Sequence, residues 1–324
     1  MCWALERSSG TNVPVKSILT GGESSHEMKT SRHEATTTNG DGSGVRQNHL
    51  RTGQSQSWRE FKRHRLAVLG ALVIIALVLI AAFAPWLAPR DPNYVDLPQR
   101  VQPPNASYIL GTDRAGRDVL SRTMYGGRIS LAVGLVAVTI STSIGTILGV
   151  ASGFYGGVTD AILGRVVDAL LAFPGMVLII TTASVLGPSI VNTVFIIGFL
   201  SWPGLYRLVR AQVLALREQD FVMAARAIGV PDRRLLLRHL IPNTLGPVIV
   251  SATFGIAGAI LTESSLSFLG LGVSAPHASW GSMLEVAQSL YNVQHTPWIW
   301  IPPGVCILLT VLSVNFVGDA LHRL

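Results

Sequence analysis

The 324-residue chain is 49% hydrophobic and only 13% charged, whereas soluble domains carry about 25% charge, so an ordinary soluble domain is excluded. Its formal charge of +7 suggests nucleic acid until the basic residues are located: they gather in the N-terminal tail and beside apolar runs, where the positive-inside rule expects them. Two cysteines, Cys2 in a polar stretch and Cys306 in an apolar run, indicate neither a disulfide framework nor a metal site.

Residues 1–57 are rich in Ser, Thr, Gly, Asn and Gln without apolar periodicity, which reads as a disordered polar cytoplasmic tail. Trp58 to Arg65 (WREFKRHR) is a basic collar before Leu66 to Leu87, an uncharged run long enough to cross about 30 Å of hydrocarbon. The collar places the N-terminus in the cytoplasm. Ala88 to Arg128 reads as a polar extracytoplasmic segment, so residues 58–128 form one division and 129–324 a core of five further membrane helices. Six arginines from Arg90 to Arg128 strain the sign rule there, and four aspartates offset them in part. Asp113, Arg117 and Asp118 fit local capping and ion pairing better than ligand contact, and they also stand as candidates for an outer gate or pathway.

Ile129 to Phe154 is the second span, with Gly145, Gly149 and Gly153 giving one smooth face for close helix packing. Tyr155 to Arg165 reads as a short cytoplasmic loop, and Val166 to Leu186 as the third span, with Pro174-Gly175 inside it. Asp168, near its inner end, suits a capped or paired group more than a proton carrier. Ile190 to Val209 is the fourth span, broken by Trp202-Pro203-Gly204; Asn243 to Leu261 is the fifth, and Trp298 to Val317 the last. The expected fold is therefore all-α and polytopic, six transmembrane helices with both termini cytoplasmic. Glu263 and Ser264, at the outer end of the fifth span, are further gate or pathway candidates, because ionisable groups at membrane depth are functional hypotheses. Capping by Thr262, Ser264 and Ser265 is the equal alternative.

Between the fourth and fifth spans lies Glu218 to Asn243, EQDFVMAARAIGVPDRRLLLRHLIPN, with four arginines among seven charged residues. Phe221, Ala224, Ala225 and Ile228 fall at i, i+3, i+4 and i+7, one face of an amphipathic helix. Gly229 stops that helix, and Pro231-Asp232 suits the first turn of a second. A DNA reader tethered at both ends by membrane spans has little reach for a groove. A helix lying on anionic lipid needs more apolar area than Ala224, Ala225 and Gly229 offer. Those small residues instead let a protein partner approach the backbone closely.

The chain brings no engine of its own. Its three lysines (Lys16, Lys29 and Lys62) do not follow a glycine, so no GxxxxGK[ST] phosphate loop exists; HExxH and GxSxG are absent too.

At AARAIG (224–229) followed by RHLIPN (238–243), the loop resembles the cytoplasmic coupling motif of bacterial ABC importer permeases. Ala224, Ala225 and Gly229 match, Ile241-Pro242 takes the Leu-Pro place, and Met223 stands where the general motif has Glu. LGTDRAGRDVLSRTMYGGRISL (110–131) and ESSLSFLGLG (263–272) resemble signatures of the dipeptide/oligopeptide/nickel permeases, C-type subunit. The resemblance implies a type I importer fold and a peptide importer subunit forming half of the pathway; nickel or glutathione are alternative cargoes. A stand-alone proton-coupled transporter is the reading from another class. By the same resemblance the coupling helix (Phe221, Ala224, Ala225, Arg226, Ile228, Gly229, Pro231 and Pro242) docks an ATPase. The implied partners are a B-type permease, one or two cytoplasmic ATPases that hold ATP and Mg, and an extracytoplasmic peptide-binding protein. This chain itself is expected to have no catalytic residue, metal or cofactor, and to lie in the bacterial inner membrane.

Overall fold

The computed structural model describes residues 65–322. The tail 1–57 and the collar up to position 64 lie outside the described residues, so the disorder expected there is not addressed. Among the described residues the architecture is helical, with one isolated bridge between Thr112 and Asp118.

Helix α1, Arg65–Ala82, is apolar on every side and buries little beyond Ala67, Gly70 and Ala81. Its predicted run stops early because Pro85, in the short turn Ala84–Leu87, cannot donate a backbone bond and its ring crowds the preceding turn. Helix α2, Val119–Tyr155, has 37 residues and so extends about 55 Å. It starts ten residues before the span expected at Ile129, because Asp118 caps it by accepting from the Ser121 N–H. The division placed at Arg128 therefore falls inside this helix.

The expected loop at Tyr155 to Arg165 is also helical. Only Gly156 separates α2 from α3, Gly157–Leu171, which meets α4, Gly175–Leu186, at an 83° bend by Pro174. Helices α5, Ile190–Leu200, and α6, Trp202–Arg217, form the broken fourth span, with Pro203 in the first turn after the break. Helix α7, Asp220–Ala227, follows. The second helix expected in the 218–243 loop is not separate. Asp232–Leu235 passes through a π turn at Leu236–Leu240 directly into α8, Ile241–Phe268. Pro242 explains the widened turn, since it removes an N–H and excludes the carbonyl four residues back. Ile241 N–H instead donates to Leu236, five residues back. Helix α8 also runs past the predicted end at Leu261. After the short α9, Trp280–Leu284, helix α10, Pro297–His322, ends the described chain.

Among the described residues five helices are long and apolar enough to cross a membrane, and the α3–α4 pair makes six if it is one span. The chain leaves α2 at the end of the bundle that carries the 218–240 loop. It enters α5 at the other end, where Ile190 shares a cleft with Pro92 and His277. The bent pair thus carries it back across. Gly70 of α1 lies against Ser313 of α10, so both described chain ends sit at the loop end.

The predicted glycine face of α2 is used as expected. A Cβ at Gly145, Gly149 or Gly153 would meet α6 at Leu205, Val209 or Val213, at 3.0, 2.9 and 2.8 Å. Among the described residues four apolar clusters hold the rest, the smallest setting Val167 of α3 against Trp202 and Tyr206 of α6. One joins α2, α4, α5 and α8 around Val133, Ile197 and Leu266; one lies at the loop end; one lies at the outer end around Val119, Met283 and Ile299.

Candidate docking loop and outer polar cluster

The loop is fastened to the bundle from one side. Val222, Leu235 and Leu240 are fully buried, packed with Val209 and Val213 of α6 and Phe154 of α2. Ala225 packs against the same cluster. The predicted amphipathic face splits accordingly: Ala225 turns inward, while Phe221, Ala224 and Ile228 stay at the surface. Ile228 is 81% exposed and Met223 and Leu237 are more than half exposed. An apolar face left open beside four surface arginines, Arg226, Arg233, Arg234 and Arg238, is unusual for a finished surface. Arg226 covers the Phe154 ring at 5.2 Å, and Phe221 lies 6.3 Å from the His239 ring.

Gly229 closes α7 with φ +77°. Its N–H donates to Arg226 at 2.9 Å and the Val230 N–H donates to Ala225 at 3.0 Å, the paired bonds of a Schellman motif. A Cβ there would meet nothing within 4 Å, so the requirement is backbone conformation and open space, not packing. Pro231, extended at φ −64° and ψ 144°, then accepts from Arg234 and Leu235 and starts the next turn.

At the opposite end the predicted polar residues form two groups that the structure does not join. Asp113 accepts from the N–H groups of Ala115 and Arg117 and from Arg117 Nε at 2.7 Å, with Arg122 Nε at 3.5 Å. Asp118 is occupied by Ser121, whose N–H and hydroxyl donate at 2.9 and 2.6 Å. Both carboxylates serve the loop and helix start locally.

Glu263 is fully buried inside α8, not at its end. Its carboxyl accepts from Ser267 at 2.8 Å and Ser130 at 3.0 Å, with Ser264 at 3.5 Å. Thr262 and Ser265, expected to cap it, donate to their own helix carbonyls instead. Ser130 also accepts the Trp280 N–H at 3.1 Å, and Trp280 Nε1 donates to Thr123 at 2.9 Å. Glu263 thus ties α2, α8 and α9 together, and no Lys, Arg or His among the described residues lies within ion-pair distance of it.

Sequence reasoning missed the pair Asp160–Arg210, bidentate at 2.5 and 2.6 Å, which fastens α3 to α6 while the Ser152 hydroxyl donates to Asp160. The signal was present: Asp160 follows Gly156-Gly157 at helix-start spacing. Asp168 pairs with Arg207 at 2.6 Å, both well exposed.

Residues 145–324 match the family described as binding-protein-dependent transport system inner membrane component, and residues 55–104 the N-terminal TM domain of oligopeptide transport permease C. The chain is 41% identical to the dipeptide transport system permease protein DppC of Alkalihalophilus pseudofirmus over 267 residues, covering 82% of this chain and 87% of that one. A chain of the MetNI methionine ABC transporter, solved in inward-facing conformations, is similar with a TM-score of 0.49 and 18% identity, covering 63% of this chain and 95% of that one.

Proposed function

The chain belongs to the inner-membrane components of binding-protein-dependent transport systems, and from that membership we propose that it is the transmembrane subunit of an ATP-driven peptide importer. The family is one of membrane permeases whose ATPase is a separate chain. Peptide as cargo is supported by the dipeptide permease relative and by the match to an oligopeptide permease N-terminal domain.

The single observation that carries the mechanism is the exposed face of α7, held rigidly by Val222 from behind. In this reading Phe221, Ala224 and Ile228 seat in a groove of a cytoplasmic ATPase, Arg226 lies at the rim, and the Gly229 turn leaves room for the partner. ATP and Mg are held by that ATPase, and none by this chain. Closure of the ATPases draws the docked loops together, and the buried wedge of Val222, Leu235 and Leu240 transmits the displacement to α6 and α8. The bundle then rocks as rigid bodies about the pathway. A second, B-type permease supplies the other half, and an extracytoplasmic binding protein delivers peptide at the opposite end. The loop end is cytoplasmic, as are both termini, and the fold is that of a type I importer.

The test is to purify the complex from bacterial membranes through a tag on this chain. Ile228→Asp puts a charge on an exposed position, so the chain should still insert and pair with its fellow permease. The ATPase should be lost from the complex, with binding weakened by about tenfold or more for a buried interface anchor. Retention of the ATPase at wild-type stoichiometry would remove α7 as the docking element.

A further inference from the structure

A cavity of about 340 Å³ lies between α2, the α5–α6 break and α8. It is at mid-depth: its wall includes Ala137, the midpoint of α2, and Ser201, the residue joining α5 to α6. No lining residue is charged. Five hydroxyls line it, from Ser141, Thr142, Ser201, Ser251 and Thr262, together with Gly204, Gly255 and Gly258.

Two kinds of accounting single this cavity out. Elsewhere on these helices most glycines are packed, Gly246 of α8 being open: Gly134 lies against Ile260, Gly198 against Ile140 and Gly149 against Val209, each with an added Cβ under 3 Å from its neighbour. A Cβ at Gly204 or Gly258 would meet nothing within 4 Å, and one at Gly255 only Val138 at 3.5 Å. Glycine within a helix carries a propensity cost, and here this chain offers no packing in return. The hydroxyls behave likewise. Thr139, Ser143 and Thr253, on neighbouring turns, donate to carbonyls four residues back. Of the five lining hydroxyls, Ser141 and Thr262 also donate to helix carbonyls, of Val138 and Gly258, whereas those of Thr142, Ser201 and Ser251 make no hydrogen bond among the described residues, and Ser201 does not cap the helix it precedes. Unbonded hydroxyls beside bare backbone, at a depth where neither lipid nor an apolar helix satisfies them, face something polar and neutral.

We propose that this cavity is a cargo-contact site of the pathway that holds the backbone of an extended peptide. A hydroxyl donates and accepts, so three rotatable hydroxyls serve a peptide N–H or C=O in either register and ignore the side chains. The glycines admit the cargo close to the helix backbones. Absence of charge leaves the peptide's termini unheld, which keeps binding weak enough for onward movement. This rests on the peptide-importer reading above.

The experiment uses the purified complex in proteoliposomes with tetra-alanine as the probe. In a Cys2→Ser, Cys306→Ser background, Ser251→Cys should react with a membrane-impermeant maleimide, and tetra-alanine with ATP should slow that reaction. A Cβ at Gly258 meets nothing within 4 Å, so Gly258→Leu projects into the open space of the cavity. It should lower tetra-alanine uptake by at least about tenfold, the scale of a steric misfit in a pocket, with ATPase activity and assembly retained. An unreactive Ser251→Cys would mean that a helix of the second permease fills the cavity, which overturns the proposal. Reaction without protection, with normal uptake by Gly258→Leu, overturns it as well. Wild-type uptake of tetra-alanine separates the two levels: where it is present and the variants behave as wild type, only the cavity assignment falls. Where wild-type complex imports no peptide, the importer reading falls with it.

Discussion

Glu263 shows how a buried acid is made tolerable without a counter-ion. Three serine hydroxyls from two helices reach its carboxyl, and one of them also accepts a backbone N–H from α9. Glu263→Gln keeps the size and an acceptor, and the hydroxyls can reorient toward its amide. Its stability should stay within about 1 kcal/mol of wild type. Glu263→Ala removes both acceptors and leaves a void, so it should cost roughly 2–4 kcal/mol. Thermal unfolding of the purified complex in detergent compares the three; an alanine variant as stable as wild type would show that the serine cluster holds nothing. The role of this residue was only half legible. Its rarity as an intramembrane acid was plain, yet Ser130 and Trp280 are 133 and 17 positions away, and a linear reading sees only the adjacent hydroxyls. The same limit explains why Asp113 and Asp118 were readable: their hydrogen-bond partners are within four residues, and only the longer contact of Asp113 with Arg122 reaches further.

At the scale of elements, α6 is held in the inner half of the bundle by α3 and by α2, and the two fastenings differ in weight. The Asp160–Arg210 pair is partly exposed, with side chains 22% and 38% accessible. Losing it should cost only about 0–1 kcal/mol. The glycine seam has no slack: a Cβ at Gly149 would meet the Tyr206 carbonyl and Val209, both at 2.9 Å. Gly149→Leu should therefore destabilise by roughly 1–3 kcal/mol or more, well beyond Asp160→Asn, when apparent Tm values of the two variants are compared. Equal shifts would contradict the packing account. The seam was readable because a four-residue glycine period needs no tertiary knowledge. Helix limits were not: α2 and α8 extend beyond their apolar runs because Asp118 caps the start of one and Ser267, near the end of the other, is satisfied by Glu263 one turn back and by the Val273 N–H. The face of α7 was found by its period but assigned as a unit, whereas packing divides it. Val222 carries the burial, and the larger apolar residues remain for a partner.

For the whole molecule, crossing count, a fastened loop with an open apolar face, and the family all lead to one account. In the function proposed above, this chain is half of a pathway, moved from the loop end by a separate ATPase. Its uncommitted surfaces are where the account makes contact with other molecules: the outer face of α7, and the hydroxyl-lined cavity at mid-depth. The most direct measurement is ATP-dependent uptake of tetra-alanine into proteoliposomes holding the purified complex, wild type against Gly229→Val. Valine at φ +77° is strained by about 1–2 kcal/mol and crowds the open side of the Schellman turn, while its Cβ meets nothing within 4 Å in this chain. The account predicts uptake by wild type only when ATP is present, and loss of at least about tenfold in the variant, a coupling change above roughly 1.4 kcal/mol, with the chain still folded in the membrane. Uptake by a folded Gly229→Val complex at the wild-type rate would contradict it.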